Sequence, residues 1–174
     1  KKKYGESIIA RSSRYQQLLE QADLYLQTPG IILVEGEVGS GRSVLGRGIL
    51  QRAGVASPVE IPCMLHPPSQ LVQRVSQFIN SPVTKEPQGL ILDGIDRMPP
   101  ELSSLLVDLF PAHMDPHRFI VLKTAPHFVG KATGLPYGMI NLYDQRVLSI
   151  PPLRERPEDL LAYLYWFVHT LSQG

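Results

Sequence analysis

The stretch that most constrains this chain is "IILVEGEVGSGRS", residues 31–43, where a short apolar run breaks into closely spaced glycines. An apolar run of that length fits a strand buried on both faces of a parallel sheet. Glycines let the backbone turn its N–H groups inward, and a helix starting there adds its positive end. The spacing is nearly that of a phosphate-binding loop, G-x-x-x-x-G-K-[ST]. Gly36, Gly39, Gly41 and Ser43 are in place, and Ser43 is the residue whose hydroxyl would hold magnesium. Arg42 stands where the lysine should be; it keeps the charge but is a planar fork, not a compact ammonium.

The rest of the chain alternates strand-like and helix-like segments. Residues 14–26 carry apolar side chains at a helical period, and Thr28-Pro29-Gly30 ends the run. A helix is expected from about Arg42 to Ala53, a second strand over 58–62 and a helix over 68–79. The apolar run 89–96 is a third strand ending in an acidic cluster, and 99–110 reads as a helix opened by prolines. Strands follow over 118–125 and 146–150. An amphipathic helix is expected over 157–171, with Glu158 and Asp159 in its first turn. This alternation predicts an α/β parallel sheet flanked by helices. Ligands in such sheets sit at the carboxyl ends of the strands, where the glycine loop and the acidic cluster both fall.

Composition excludes several classes. Seventeen basic and sixteen acidic residues give a net charge of +1, unlike a domain built to grip a nucleic-acid backbone. Lys1-Lys2-Lys3 reads as a solvated, frayed end. The single cysteine, Cys63, allows no internal disulfide, which fits a reducing compartment. There is no membrane-spanning apolar stretch and no signal-peptide pattern, so the expected location is the cytoplasm. His66, His113, His117, His127 and His169 have no metal-ligand spacing.

In "LILDGID" an apolar strand ends at Asp93, where phosphate-loop proteins orient magnesium and its water. An Asp capping the next turn is the alternative reading for Asp93 and the plainer one for Asp96. Tyr163, Trp166 and Phe167 read as core or lid packing.

At "IPPLRERPEDL", residues 150–160, the chain resembles the central AAA+ domain of NtrC-like bacterial enhancer-binding proteins, the activators of sigma-54 RNA polymerase. Their L-P-P-L-R-E-R-x-E-D-I stretch leads into a helical lid. "GEVGSGRS" is similar to their G-E-S-G-[ST]-G-K-E, and "LILDGIDRMPPELSSLLVDLF" to their F-L-D-E-I-G-x-[LM]-P-x-x-x-Q-x-x-L-L-R-x-L. "YGESIIARSSRYQQLL" resembles the lead-in to their first strand. The resemblance implies a P-loop NTPase fold of AAA+ type, with the α/β core over 1–156 and the first lid helix over 157–174. It implies ATP or ADP with magnesium, held by Gly36, Glu37, Gly39, Ser40, Gly41, Arg42, Ser43 and Asp93. Ser43 and Asp93 would be the magnesium ligands.

The departures from the family matter as much. Arg42 replaces the lysine, and Gly94 stands where an acidic residue activates water. Ala125 takes the place of an asparagine that senses the γ-phosphate. The arginines given to a neighbouring subunit fall on Pro136 and Leu142, while Arg146 is out of register. The G-A-F-T-G-A loop that contacts sigma-54 is absent between Arg42 and Asp93. A missing arginine finger alone costs about 10³–10⁵ in rate. The expectation is a pseudo-ATPase that has lost sigma-54 remodelling and serves as a nucleotide-binding or oligomerisation module.

Two alternatives stand beside it. One is an active, atypical ATPase in which Asp96 or a partner's residue polarises water. The other is a pure interaction module with an empty or repurposed cleft. Implied partners are further copies of the chain and DNA through a helix-turn-helix domain outside it. RNA polymerase or a sigma factor is a partner only by another surface, and no membrane is implied. Because Gly174 precedes the family's remaining lid helices, an excised central domain or a shortened protein is expected.

Overall fold

The computed structural model describes residues 8–82, 84–98, 102, 108–110, 115–126 and 146–172. Helix α1 (Ser13–Tyr25) starts at Ser12, whose Oγ accepts the Tyr15 N–H at 3.3 Å. Strand β1 (Gly30–Glu35) is buried throughout. It runs through the glycine loop into α2 (Arg42–Arg52). Strand β2 (Val59–Pro62) leads by a 3-10 turn, Cys63–Leu65, to α3 (Pro68–Ile79). Strand β3 (Gln88–Asp93) ends in a second 3-10 turn, Ile95–Arg97. Strands β4 (Arg118–Thr124) and β5 (Val147–Ser149) and helix α4 (Pro157–Leu171) complete the described elements. The expected helix over 99–110 lies mostly outside them, but Leu102 and Phe110 are buried in the core.

The strands form a five-stranded sheet in the order β2-β3-β4-β1-β5. Every pairing is parallel, so the carboxyl ends of all strands open on one edge. Register places Glu35 beside both Thr124 and Ser149, and Asp93 beside Lys123.

Alternation along the strands feeds two cores. Ile32, Val34, Ile91, Phe119 and Val121 pack against α1 and α2 through Tyr15, Leu18, Leu45 and Ile49. Ile31, Leu33, Leu90, Leu92, Ile120 and Leu122 pack on the other face against α3. Each buried aliphatic side chain contributes about 1.5–3 kcal/mol of transfer free energy, which makes both faces of the sheet committed. At the amino edge, Arg118 donates to the carbonyls of Ile79 and Ser81 and lies over the Phe78 ring, tying the end of α3 to β4. Arg146 donates to the Thr28 and Pro29 carbonyls at the same edge.

Helix α4 departs from the amphipathic expectation. The side chain it buries fully is Asp159, while Leu161, Leu164, Tyr165, Trp166, Phe167 and Val168 are exposed. Trp166 is 55% exposed, so it and Phe167 do not pack into the core of the described residues.

Cys63 lies in the α3-side core, where burial first, then the charge of Asp93, pushes its thiol up to about 12. The thiolate is the reactive form, so the folded protein should resist alkylation at about pH 8 and react when denatured. Mass spectrometry after iodoacetamide treatment checks this; stoichiometric labelling of the native protein would contradict it.

Candidate functional site

The glycine loop follows β1 at the carboxyl edge. Gly39 and Gly41 adopt φ of 83° and 102°, left-handed conformations that side chains strain to reach. Gly41 caps α2 without a side-chain bond. The first-turn N–H groups of α2 have no acceptor within the helix and add to its positive end. Gly36 is packed closely: a Cβ there would lie 2.6 Å from Ser40 Oγ. The loop can therefore approach an anion with its backbone while Ser40 is buried beneath it.

Arg42 neither points to solvent nor lies free. Its Nη1 donates to the Thr124 carbonyl at 2.5 Å, across the ends of β1 and β4. A guanidinium carries five N–H donors in a fixed fork, and among the described residues the Thr124 carbonyl engages one of them.

Ser43 and Asp93, the expected magnesium ligands, do not face each other across open space. The Lys123 ammonium stands between them, donating to Ser43 Oγ at 3.0 Å and pairing with Asp93 Oδ2 at 3.0 Å. The Lys123 side chain is 3% exposed, while that of Asp93 is 44% exposed. Sequence reasoning passed over Lys123 because it is a lone charge in an apolar strand. A usable signal existed: Phe119, Val121 and Lys123 alternate onto the α2 face, and Asp93 ends the same face of β3.

The strand order, the loop between β1 and α2 and an acidic residue ending β3 can now be compared with solved structures. NtrX from Brucella abortus, crystallised with ATP, superposes with a TM-score of 0.71 at 16% identity, over 98% of this chain and 44% of that one. Its ADP complex gives 0.70 at 16% identity, over 92% and 41%. The DnaC helicase loader gives 0.57 at 12% identity, over 84% and 95%. The chain has the AAA+ P-loop fold. It spans less than half the length of the NtrX chains it resembles. No protein-family model matches the sequence, and no curated protein does.

The AAA+ frame gives the "LRERPED" stretch a physical role. Arg154 makes two 2.7 Å bonds to Glu37 in the loop, which holds the Glu37 carboxyl below its usual range. Glu155 pairs with Arg14 at 2.7 Å. Arg156 is buried; it donates to the Ser40 carbonyl at 3.1 Å and lies 4.4 Å over the Tyr15 ring. Asp159 faces Arg156 at 3.6 Å and accepts from Ser12 N at 2.8 Å, from Ser12 Oγ at 2.7 Å and from Arg11 N. Burial pushes the Tyr15 phenol up to about 12, so it remains neutral beside this pair. One short stretch thus clasps the glycine loop, α1 and α4.

Gly94 has φ 80°, and its N–H donates to the Lys123 carbonyl at 3.0 Å. Asp96 sits in the 3-10 turn, 4.0 Å from Arg97. Glu35, which the sequence did not single out, is buried and accepts from Ser149 Oγ at 2.5 Å. Arg146 is bound at the edge of the sheet away from the loop. Pro136 and Leu142 lie outside the described residues.

Removing Asp159 leaves the buried Arg156 charge uncompensated. Asp159→Ala should destabilise the fold by about 3–5 kcal/mol, read from urea unfolding. A loss below about 1 kcal/mol, the range of exposed pairs, would contradict the clasp.

Proposed function

We propose that this chain is a nucleotide-binding regulatory module of AAA+ type that does not turn ATP over. The observation that carries the reading is the loop itself. Left-handed Gly39 and Gly41 open α2, and Arg42 is anchored by one bond with donors to spare. Such an array suits a chain of phosphates, because guanidinium–phosphate bonds are charge-assisted and geometrically matched. Gly36, Glu37, Gly39, Ser40, Gly41, Arg42 and Ser43 would hold the nucleotide. The structural likeness to NtrX bound to ATP and to ADP supports this reading.

Hydrolysis needs a positioned water and a stabilised outer phosphate. Glycine at 94 offers no carboxylate to polarise water, and Ala125 offers no amide to the γ-phosphate. Asp96 lies in the 3-10 turn after β3, two residues beyond Gly94 and 4.0 Å from Arg97, which disfavours it as a substitute base. Helix α3 runs without interruption from Pro68 to Ile79 directly after β2 and its turn, which supports loss of the sigma-54-contacting loop. The regulatory role, with DNA bound through a helix-turn-helix domain outside this chain, rests on the NtrC-like resemblance. The apolar side chains exposed along α4 favour assembly with further copies or further chain. No helix among the described residues is long and apolar enough to cross a membrane.

A second reading has its own observation. The bonds among Lys123, Ser43 and Asp93 already satisfy part of the cleft, as expected of an interaction module whose site is empty or reused.

Calorimetric titration with ATP and ADP separates the two. The first reading expects a Kd of about micromolar order, weakened about tenfold or more by Arg42→Ala. Absence of heat up to about millimolar nucleotide, weaker than about 4 kcal/mol of binding, would exclude the nucleotide role and leave the second reading.

A further inference from the structure

We propose that Lys123 is a built-in cation occupying the place where this cleft would otherwise take magnesium, so that it binds the phosphates of a nucleotide without a divalent metal. The inference rests on the nucleotide-binding reading above and specifies its chemistry.

The geometry is direct. Magnesium requires oxygen ligands at about 2.0–2.1 Å in a near-octahedral shell. The two protein oxygens suited to it, Ser43 Oγ and Asp93 Oδ2, are both held at 3.0 Å by Lys123 Nζ. An ion cannot enter that gap beside an ammonium without strong like-charge repulsion, so Lys123 would have to withdraw. Apart from Ser43 and Asp93, the charged group close enough to feel the ammonium is Glu60 on β2. Lys123 is buried and follows Phe119 and Val121 along the apolar α2 face of β4. Retreat would drag a charge toward that core, which is costly.

The helix above packs closely on this strand, most tightly at Val121. Gly46 lies one turn after Ser43, and a Cβ there would meet Val121 Cγ1 at 3.3 Å and Lys123 Cδ at 3.8 Å. Glycine inside a helix costs about 0.5–1 kcal/mol relative to alanine. At this position it lets α2 and the lysine-bearing strand approach closely.

The charge arrangement also suits phosphate. An ammonium has three donors. Ser43 and Asp93 engage two, which leaves one for a phosphate oxygen. Arg42, carried by the loop, and Lys123, carried by β4, would then share the neutralisation that a loop lysine and a metal ion supply together in other phosphate loops.

The test is calorimetry of the protein with ATP and with ADP, in EDTA and in excess magnesium, for the wild type, Lys123→Met and Asp93→Asn. The wild type should bind equally well in both buffers. Lys123→Met, which keeps the stem and frees the two oxygens, should bind about tenfold or more tightly with magnesium than without it, a gain of about 1.4 kcal/mol. Asp93→Asn removes a negative charge from beside the phosphates and should tighten binding in either buffer. It also provides an independent check should Lys123→Met fail to fold by circular dichroism.

Wild-type binding that improves about tenfold with magnesium would overturn the inference while leaving the nucleotide reading intact. Weakened magnesium-dependent binding by Asp93→Asn would also overturn it, because Asp93 would then be a metal ligand. Absence of wild-type binding in both buffers would overturn the nucleotide reading, and this inference with it.

Discussion

The guanidinium of Arg156, 2% exposed, organises the functional edge of this domain. A charge so removed from water must be matched in place, and three groups do so: the Ser40 carbonyl, the Tyr15 ring face and the fully buried carboxylate of Asp159. Each belongs to a different part of the chain. The loop cannot move without leaving the arginine unsolvated. Helix α1 cannot shift without losing both the stacked ring and the Ser12 bonds to Asp159. The loop is thus preorganised by a residue more than a hundred positions away in sequence. Preorganisation of this kind favours binding because ordering is complete before the ligand arrives.

With the loop held, the basic groups of the cleft are redistributed relative to an ordinary phosphate loop. The loop position carries a guanidinium, anchored on the end of β4. The ammonium comes from β4 itself, one residue earlier, and reaches across to β3 and α2. The two cations are linked by the parallel register. Asp93 lies beside Lys123, and Thr124 beside Glu35, so that Arg42 and Lys123 approach the same edge from adjacent strand positions. Two fixed cations can hold a polyphosphate; they cannot reposition themselves as a coordinated metal and its waters do. That difference separates holding a nucleotide from hydrolysing it.

Much of this was legible in the sequence. Strand and helix limits followed from periodicity and from glycine and proline punctuation, and α3 agrees with its expected range of 68–79. The glycine loop was legible because its chemistry is local. What escaped depended on tertiary partners. The direction of Arg42 is set by a carbonyl 82 residues away. The role of Lys123 required the parity of β4 together with the pairing partner of β3, neither visible in "RFIVLKTA" alone. Helix α4 misled because its apolar residues suggested a core-facing stripe, whereas its inward anchor is an aspartate. In sequence Arg154 and Arg156 belong to a familiar stretch; the clasp that explains them appears only when α1, the loop and α4 are brought together.

If Arg42 and Lys123 hold ATP and leave it intact, the nucleotide survives on the protein. The most direct measurement incubates the protein in excess over ATP labelled at the γ-phosphate, with and without magnesium, and resolves the protein-bound label over several hours. Bound label is expected to remain ATP, with phosphate release at the rate of the protein-free control. Release that exceeds the control and scales with the bound fraction would contradict it and establish an ATPase.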